Sequence, residues 1–444
     1  MKKLCCSLLA LLFLCLPFAT GASAVSYTPP FEPNADAIYL VNLDTNTVVY
    51  EKNADKKRPP ASLTKLMTAL LLLESGEDLE TVITTPGYIY DELYLSGGST
   101  ADIYPYEDIR LIDLLYGMML PSGNEAASAV ADYLGGGSLS NFFYLMNNRA
   151  KELGCENTNF ACAHGLYGMD QNHYSTAKDM YLIAKACYDL GEPFMEVVTS
   201  LEYWIPAGKF HPKPYRIRNT NRMMNPASTV YRSYVQGIKT GSTPEAGYNL
   251  ISTAQMDGQT YMLVVMGTPY EKDENGQGLA FSVTAQIYDW VFESLAVRPA
   301  LDTEKDIAEI KVDYCSEQDT LKLRPADDLV ALLPVESDDT SINKEFHLPD
   351  SVAAPIEAGD VVGSVTLSIA GEELGTVDLV ASQSLERNTA LFVIAKIGEF
   401  FSSLYFKVLC TLIAITALLY VGYIIWVIRR NQRMGKVNRR RGGI

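Results

Sequence analysis

The hydrophobic pattern of the first 300 residues predicts strands at both ends of a helical segment. Residues 37–43 and 47–50 are largely apolar runs separated by a polar turn at 44–46, a pattern that predicts a β-hairpin. Three more β-patterned runs, separated by turns containing Gly, cover residues 235–240, 248–255 and 260–267. Helical patterns cover residues 110–120, 125–134, 139–153, 176–190 and 279–295. We therefore predict an α+β domain in which an antiparallel sheet lies between helical layers.

The helix predicted after Pro60 is apolar on every side, which is typical of a helix buried in a core. It is not expected to begin earlier, because the residue before a proline is pushed out of the α region. Residues 66–73 are almost all apolar, and Gly76 is a suitable C-terminal stop. Ser62 and Lys65 lie three residues apart at the start of this helix, on one face of it. The pair also has a structural explanation, in which Ser62 caps the helix and the Lys65 amine extends to water. These two residues alone do not distinguish a catalytic role from a structural one.

From residue 307 onward the helical period disappears and a small all-β domain is predicted. Its short strands are expected at residues 307–312, 321–323, 329–333, 361–369 and 373–379. Residues 385–407 follow with a pattern that favours a helical stalk.

The two ends of the chain predict a secreted protein that stays attached to the membrane. Residues 1–24 combine a basic start, an apolar run and a small-residue cleavage site, as secretory signal peptides do. Residues 408–428 are uncharged and almost wholly apolar. As a helix they span about 31 Å, close to the ~30 Å of a bilayer core. Seven basic residues and no acidic one follow, so the positive-inside rule puts residues 429–444 in the cytoplasm and residues 25–407 outside.

The predicted organisation is therefore a signal peptide and two extracytoplasmic domains, followed by a stalk, a single membrane span and a basic tail. The boundaries are 1–24, 25–300, 301–384, 385–407, 408–428 and 429–444.

The charge of the exterior portion excludes one class of partner. The whole chain has a formal net charge of −17. Nine of its 36 Lys and Arg residues lie in the signal peptide and tail, which leaves 27 basic residues against 53 acidic ones outside. A nucleic-acid partner is not expected, because binding one requires a basic face.

The cysteines predict neither a disulfide scaffold nor a zinc site. The four exterior cysteines are sparse and widely spaced; they are Cys155, Cys162, Cys187 and Cys315. Cys155 could pair with Cys162, and free buried thiols fit the sequence equally well.

Three short motifs together carry the candidate chemistry. Ser62-x-x-Lys65 is followed 60 residues later by Ser122-Gly123-Asn124 and a further 117 residues later by Lys239-Thr240-Gly241. Each motif is weak alone, but their order, with the first on a buried helix and the last on a strand, is typical of enzymes that form an acyl-enzyme on serine.

The residue types in the first two motifs suit acyl transfer. Ser62 would be the nucleophile, and Lys65 would accept its proton if the amine is neutral. Burial near the second cation, Lys239, would lower the pKa of Lys65 and supply that condition. Ser122 would pass a proton to the leaving amine, and Asn124 would hold Lys65 and a substrate amide. This chemistry requires no metal or other cofactor.

The third motif supplies binding groups. The backbone N–H groups of Ser62 and Ser242 would form the oxyanion hole. Lys239 and Thr240 would face a terminal carboxylate of the substrate, and Gly241 lets backbone or ligand approach closely.

The chain resembles the serine-type D-alanyl-D-alanine carboxypeptidases, the low-molecular-weight penicillin-binding proteins of peptidase family S11. The resemblance extends to both predicted exterior domains, through residues 120–131, 152–166, 218–224, 237–254 and 354–365. It implies a β-lactamase/transpeptidase-like fold with a five-stranded antiparallel sheet. It also implies removal of the terminal D-alanine from peptidoglycan stem pentapeptides, and covalent inhibition by β-lactam antibiotics.

Three features depart from the pattern common in that family. Ser242 stands where many members have His, and Glu125 where many have Asp. Many members are held by an amphipathic helix that lies on the membrane, whereas residues 408–428 predict a true span.

Several other residues have a structural interpretation that competes with a functional one. His164 fits a structural loop histidine better than a catalytic one, and Glu156 or Glu152 does not fit the deacylating base of a β-lactamase. The tyrosine-rich residues 88–106 could line a substrate groove or pack in the core. Surface roles are favoured for three arginines, namely Arg216, Arg218 and Arg222.

Three alternative functions compete with the carboxypeptidase. A D,D-endopeptidase that cuts cross-linked peptidoglycan would use the same active site. A β-lactamase would need a deacylating Glu and no β domain. A non-catalytic scaffold would require a broken motif, and all three motifs are intact.

Overall fold

The structure is a computed structural model that describes residues 27–441, except for 97, 169–170, 337–340 and 370–371. The predicted signal peptide, residues 1–24, lies outside the described residues. The chain forms two compact units. Among the described residues, the first unit comprises those up to Ala300 with Val330–Asn343 and Ser368–Leu374, and the second comprises the remainder.

The first unit is built on a five-stranded antiparallel sheet with the order β2-β1-β9-β8-β7. Its strands are β1 (Ala37–Asn42), β2 (Thr47–Lys52), β7 (Val235–Thr243), β8 (Gly247–Met256) and β9 (Gln259–Thr268). Every residue of β1 is buried, because the sheet is covered on both faces. The N-terminal hairpin joins the later strands through β1, where Ala37 is paired with Met266. The predicted antiparallel sheet between helical layers is confirmed.

The helices of this unit include the predicted ones with small shifts at their ends. They are α1 (Lys65–Glu74), α2 (Ile89–Ser96), α3 (Leu111–Met119), α4 (Asn124–Leu134), α5 (Leu139–Glu152), α6 (Ala177–Asp189), α7 (Glu192–Thr199) and α8 (Leu279–Ser294). Helix α1 is the central one, and its Leu66, Met67 and Leu70 are fully buried. Each such side chain contributes about 1.5–3 kcal/mol through burial. The helix stops before Gly76, which has φ +74°.

Several short elements of the first unit escaped the sequence pattern. Two of them are helices, α2 and α7. The others form two antiparallel strand pairs: β3 (Val82–Thr84) pairs with β4 (Asp108–Arg110), and β5 (Glu202–Ile205) pairs with β6 (Tyr215–Arg218). Strands of three or four residues are too short to show a period.

One strand expected in the β domain pairs elsewhere. Strand β13 (Val330–Pro334) runs antiparallel to β10 (Leu295–Pro299), which directly follows α8. Leu332 is buried in the core of the first unit together with Leu295. The Tyr27 hydroxyl also donates to the Leu332 carbonyl at 2.6 Å. Burial of these apolar side chains explains the pairing.

A six-stranded sheet, most of whose residues belong to the second unit, has the order β14-β16-β17-β12-β11-β15. Its strands are β11 (Ala308–Asp313), β12 (Thr320–Pro325), β14 (Ile342–His347), β15 (Ser351–Ala353), β16 (Val361–Ile369) and β17 (Glu372–Ala381). Strand β15 is parallel to β11, whereas β12 is antiparallel to both of its neighbours, β11 and β17.

Two helices end the chain, α9 (Thr389–Ser402) and α10 (Leu404–Arg441). Among the residues that the structure describes, α10 is the helix long and apolar enough to cross a membrane. Its qualifying segment is Leu404–Gln432, with a mean hydropathy of 2.4. The predicted span, residues 408–428, lies within it.

Candidate active site

Ser62 and Lys65 lie at the junction of a short 3₁₀ turn, Ala61–Thr64, and helix α1. The Ser62 side chain does not cap the helix, so capping does not explain its position. Lys65 Nζ lies 3.0 Å from Ser62 Oγ. Because α1 is buried and rigid, the two groups are held together at its N-terminal end.

The Lys65 amine has three polar neighbours, of which two can only accept. Nζ donates to Asn124 Oδ1 at 2.8 Å and to the His164 carbonyl at 2.8 Å. A neutral amine has two N–H groups for these acceptors and one lone pair left for the Ser62 hydroxyl. Burial lowers the pKa of Lys65 to about 7, against the smaller opposing effects of Cys162 and Glu125. The arrangement therefore suits a general base.

Ser122 comes from the loop between α3 and α4. Its φ is +69°, in the left-handed region that non-glycine residues seldom adopt. Its Oγ is buried and has no hydrogen-bond partner within the described part of the chain. A buried hydroxyl without a partner is available to a bound substrate.

The third motif lies on edge strand β7, beside the turn that carries Ser62. A Cβ on Gly241 would lie 3.1 Å from both the Ser62 nitrogen and the Pro60 carbonyl oxygen. Lys239 is 1% exposed, and its Nζ donates to the Thr240 carbonyl at 3.1 Å. Burial, and secondly the charge of Lys65, hold the pKa of Lys239 well below its usual range. The sequence predicted that the charge of Lys239 would help to lower the pKa of Lys65. In the structure, burial lowers the pKa of Lys65, and it is burial together with the charge of Lys65 that lowers the pKa of Lys239.

The three motifs meet at a cavity of about 190 Å³. Its walls include Ser62, Ser122, Thr240, Gly241 and Ser242. Lys65, Asn124 and Lys239 are buried.

Other cavity residues were not found from the sequence. Thr220 is one of them, and its hydroxyl lies 2.6 Å from that of Thr240. In the sequence, Thr220 was distinguished only by its position within residues 218–224, one of the segments that resemble the carboxypeptidase family. Ser99, Tyr248 and Phe281 also line the cavity, from parts of the chain without a catalytic motif.

His173 supports the turn that carries Ser62 and Lys65. Thr64 donates to the Ala61 carbonyl at 2.8 Å, so its oxygen is free to accept from His173 Nε2 at 2.8 Å. Nδ1 accepts from the Ala161 N–H at 3.0 Å. Burial lowers the pKa of His173 to about 3, so the ring is neutral. No motif or pattern in the sequence singled out this histidine.

The side chain of His164 does not reach Ser62 or Lys65 by any hydrogen bond that the structure describes. Its Nδ1 accepts from the Leu166 N–H at 3.1 Å, and burial holds its pKa well below the usual range. Its backbone carbonyl is what accepts a hydrogen bond from Lys65.

Several other residues for which the sequence left a functional role open make structural contacts away from the active-site cavity. Arg216 pairs with Glu202, and Glu152 pairs with Arg149. Neither Glu152 nor Glu156 lines the active-site cavity. The cysteines Cys155, Cys162, Cys187 and Cys315 are all free thiols and buried.

Comparisons with known proteins identify relatives for both units. The profile of a family described as D-alanyl-D-alanine carboxypeptidase matches residues 23–270. A profile described as the C-terminal domain of penicillin-binding protein 5 matches residues 301–387. The D-alanyl-D-alanine carboxypeptidase DacF of Bacillus subtilis is 29% identical over 390 residues, which cover 87% of this chain and 95% of DacF.

Two solved structures show the same fold. Penicillin-binding protein 5 from Haemophilus influenzae is 25% identical, with a TM-score of 0.58; the match covers 81% of this chain and all of the other. The Streptomyces K15 DD-transpeptidase is 31% identical, with a TM-score of 0.53; the match covers 60% of this chain and 99% of the other.

Proposed function

Since the chain belongs to the D-alanyl-D-alanine carboxypeptidase family, we propose that it removes the terminal D-alanine from peptidoglycan stem pentapeptides through an acyl-enzyme on Ser62. One observation carries this mechanism. Lys65 Nζ lies 3.0 Å from Ser62 Oγ, while two carbonyl-type oxygens occupy its other donor positions. The free lone pair of the neutral amine is thereby directed at the hydroxyl.

Acylation begins when Ser62 Oγ attacks the carbonyl carbon of the penultimate D-alanine and Lys65 takes the hydroxyl proton. Negative charge then develops on the carbonyl oxygen. The backbone N–H groups of Ser62 and Ser242 stabilise it. The close approach of Gly241 to the Ser62 amide supports this role, because it places strand β7 beside the turn.

The leaving group is the amine of the terminal D-alanine. Lys65 returns the proton through Ser122, and the C–N bond breaks as the amine is protonated. The partnerless Oγ of Ser122 supports this transfer. Asn124 holds Lys65 by its Oδ1, which leaves its amide N–H groups for the substrate backbone.

Lys239 and Thr240 bind the terminal carboxylate. A carboxylate beside Lys239 favours the charged amine and so opposes the effect of burial on its pKa. Water then attacks the acyl-enzyme, with Lys65 as base, and restores Ser62. A β-lactam acylates Ser62 by ring opening; its amine remains tethered to the acyl group, so it stays in the site.

Helix α10 anchors the enzyme in the cytoplasmic membrane as a single span. The basic residues at its C-terminal end favour the cytoplasmic side, which leaves both compact domains outside with the cell wall.

The test is labelling of the full-length protein with a fluorescent penicillin, followed by mass spectrometry of the modified peptide. We expect one adduct, on Ser62, and none in Ser62→Ala. An adduct that persists in Ser62→Ala would overturn the assignment of the nucleophile. Release of D-alanine from a pentapeptide, compared with cleavage of a cross-linked dimer, separates the carboxypeptidase from the D,D-endopeptidase alternative.

A further inference from the structure

A second cavity, of about 300 Å³, adjoins the active-site cavity. Ser99 lines both cavities, and Asn124, which holds Lys65, lines the second. A substrate chain that leaves the catalytic serine along Asn124 would therefore enter this second cavity.

The wall of the second cavity is held in place by a buried carboxylate. Glu125 accepts from the Thr100 hydroxyl at 2.7 Å and from the Ala101 N–H at 2.6 Å. The same loop continues to Asp102 and Tyr104, which line the cavity. Because the hydrogen bonds to Glu125 already order this loop, less conformational entropy is lost when a ligand binds in the cavity.

An exposed aromatic stack adjoins this cavity through Tyr104, which lines it; the stack of Tyr104 and Phe210 is called the lip below. The ring of Tyr104 stacks on Phe210, with centroids 5.4 Å apart and an interplanar angle of 29°. Both stay open to solvent, at 42% and 41% exposure. His211 fixes the arrangement, because its Nε2 lies 2.7 Å from the Asp102 carbonyl oxygen and its ring contacts Tyr104. The hydrogen bond joins the two segments that carry the rings, and exposed apolar surface beside a cavity is typical of ligand-binding sites.

Polar groups flank the rings. The Asp102 side chain is 61% exposed, and the Lys209 ammonium lies 5.0 Å from the centre of the Phe210 ring. An aromatic face carries partial negative charge, and the C–H bonds on one face of a sugar ring carry partial positive charge. Sugar hydroxyls also require donors and acceptors such as Lys209 and Asp102.

We propose that the lip formed by Tyr104 and Phe210 binds the glycan of peptidoglycan. This inference rests on the proposed function. The terminal dipeptide would occupy the catalytic cavity, the middle of the stem peptide the second cavity, and the amino sugar that carries the stem the aromatic lip. The lip thus makes the enzyme selective for stems that are still attached to sugar.

The experiment compares two substrates of the full-length enzyme in detergent. One is the free stem pentapeptide, and the other is the same pentapeptide attached to its N-acetylglucosaminyl-N-acetylmuramic acid disaccharide. Release of D-alanine gives kcat/KM for each. In the wild type we expect the disaccharide form to be preferred about tenfold. In Phe210→Ala we expect kcat/KM for that form to fall about fivefold, with the free peptide changed by less than about twofold.

Trp204→Ala is the matched control, because Trp204 is an exposed aromatic residue on the same hairpin whose ring contacts Arg216, whereas the Phe210 ring stacks on Tyr104. It should keep the preference for the disaccharide form. Equal kcat/KM for the two substrates in the wild type would overturn the proposal, as would an equal loss for both substrates in Phe210→Ala. Failure of the wild type to hydrolyse either substrate would instead contradict the proposed function.

Discussion

Gly241 passes so close to Ser62 that a methyl group on Gly241 would lie 3.1 Å from the Ser62 nitrogen. This contact joins the edge of the sheet to the turn that carries the candidate nucleophile. The nearest atoms belong to the backbone, so they cannot rotate away as a side chain could.

Gly241→Ala should therefore separate strand β7 from Ser62 by a few tenths of an ångström. We expect the rate of acylation by penicillin to fall about tenfold, because small displacements of reacting groups are costly. Stopped-flow measurement of adduct formation checks this, with the circular dichroism spectrum as the test of folding. Gln236→Ala, an exposed position on the same strand, is the control. Near-normal acylation in a folded Gly241→Ala protein would show that the spacing is not critical.

The pH dependence of acylation should follow Lys65. Since its pKa is lowered to about 7 and the base must be neutral, the rate should rise with pH through about 7 and level off above it. Lys65→Arg should abolish acylation at every pH, because a guanidinium is not deprotonated in proteins. Adduct formation across pH 5–9 is the measurement. A rate independent of pH in the wild type would argue for a different base.

His173 should contribute to acid sensitivity. Its pKa falls from 6.5 in the unfolded chain to about 3 in the folded protein. Below pH 6.5 the unfolded chain therefore binds a proton that the folded protein does not, and the free energy of unfolding decreases as pH falls from about 6.5 to about 3. In His173→Asn this decrease should be shallower by up to about 1.4 kcal/mol per pH unit.

The same variant separates the two hydrogen bonds of the ring. Asparagine can still accept from the Ala161 N–H, but it does not reach Thr64. We expect stability at pH 7 to fall by about 1–3 kcal/mol and acylation to slow. Urea denaturation at several pH values measures both the free energy of unfolding at pH 7 and its slope against pH below 6.5. An unchanged slope below pH 6.5 would mean that His173 does not titrate as inferred.

Removal of residues 404–444 should leave an active enzyme, because the three motifs precede them and a membrane helix has no part in acyl transfer. Helix α9 would remain, however, and it exposes large apolar side chains such as Ile394, Phe400 and Phe401. We therefore expect a second truncation, without residues 389–444, to be the more soluble in the absence of detergent. Hydrolysis of a D-Ala-D-Ala peptide by both proteins is the measurement. Inactivity of a folded truncation would mean that the removed helix organises the site.

The sequence alone determined those features that depend on neighbours along the chain. The apolar pattern located the hairpin, the three later strands and the buried helix, because the spacing of apolar residues that is typical of a strand or a helix can be recognised within a short segment. Ser62 and Lys65 could be placed on one face for the same reason. Composition was also sufficient to locate the C-terminal helix that is long and apolar enough to cross a membrane.

Tertiary structure decided what depends on distant residues. The His164 carbonyl, which occupies one donor position of Lys65 from 99 residues away, has no sequence signature because every residue has a carbonyl. The link from His173 to Thr64 and the position of Thr220 beside Thr240 arise only when separate segments pack together. The depth of burial that lowers the pKa of Lys65 is likewise a property of the packed core, because desolvation depends on every surrounding atom.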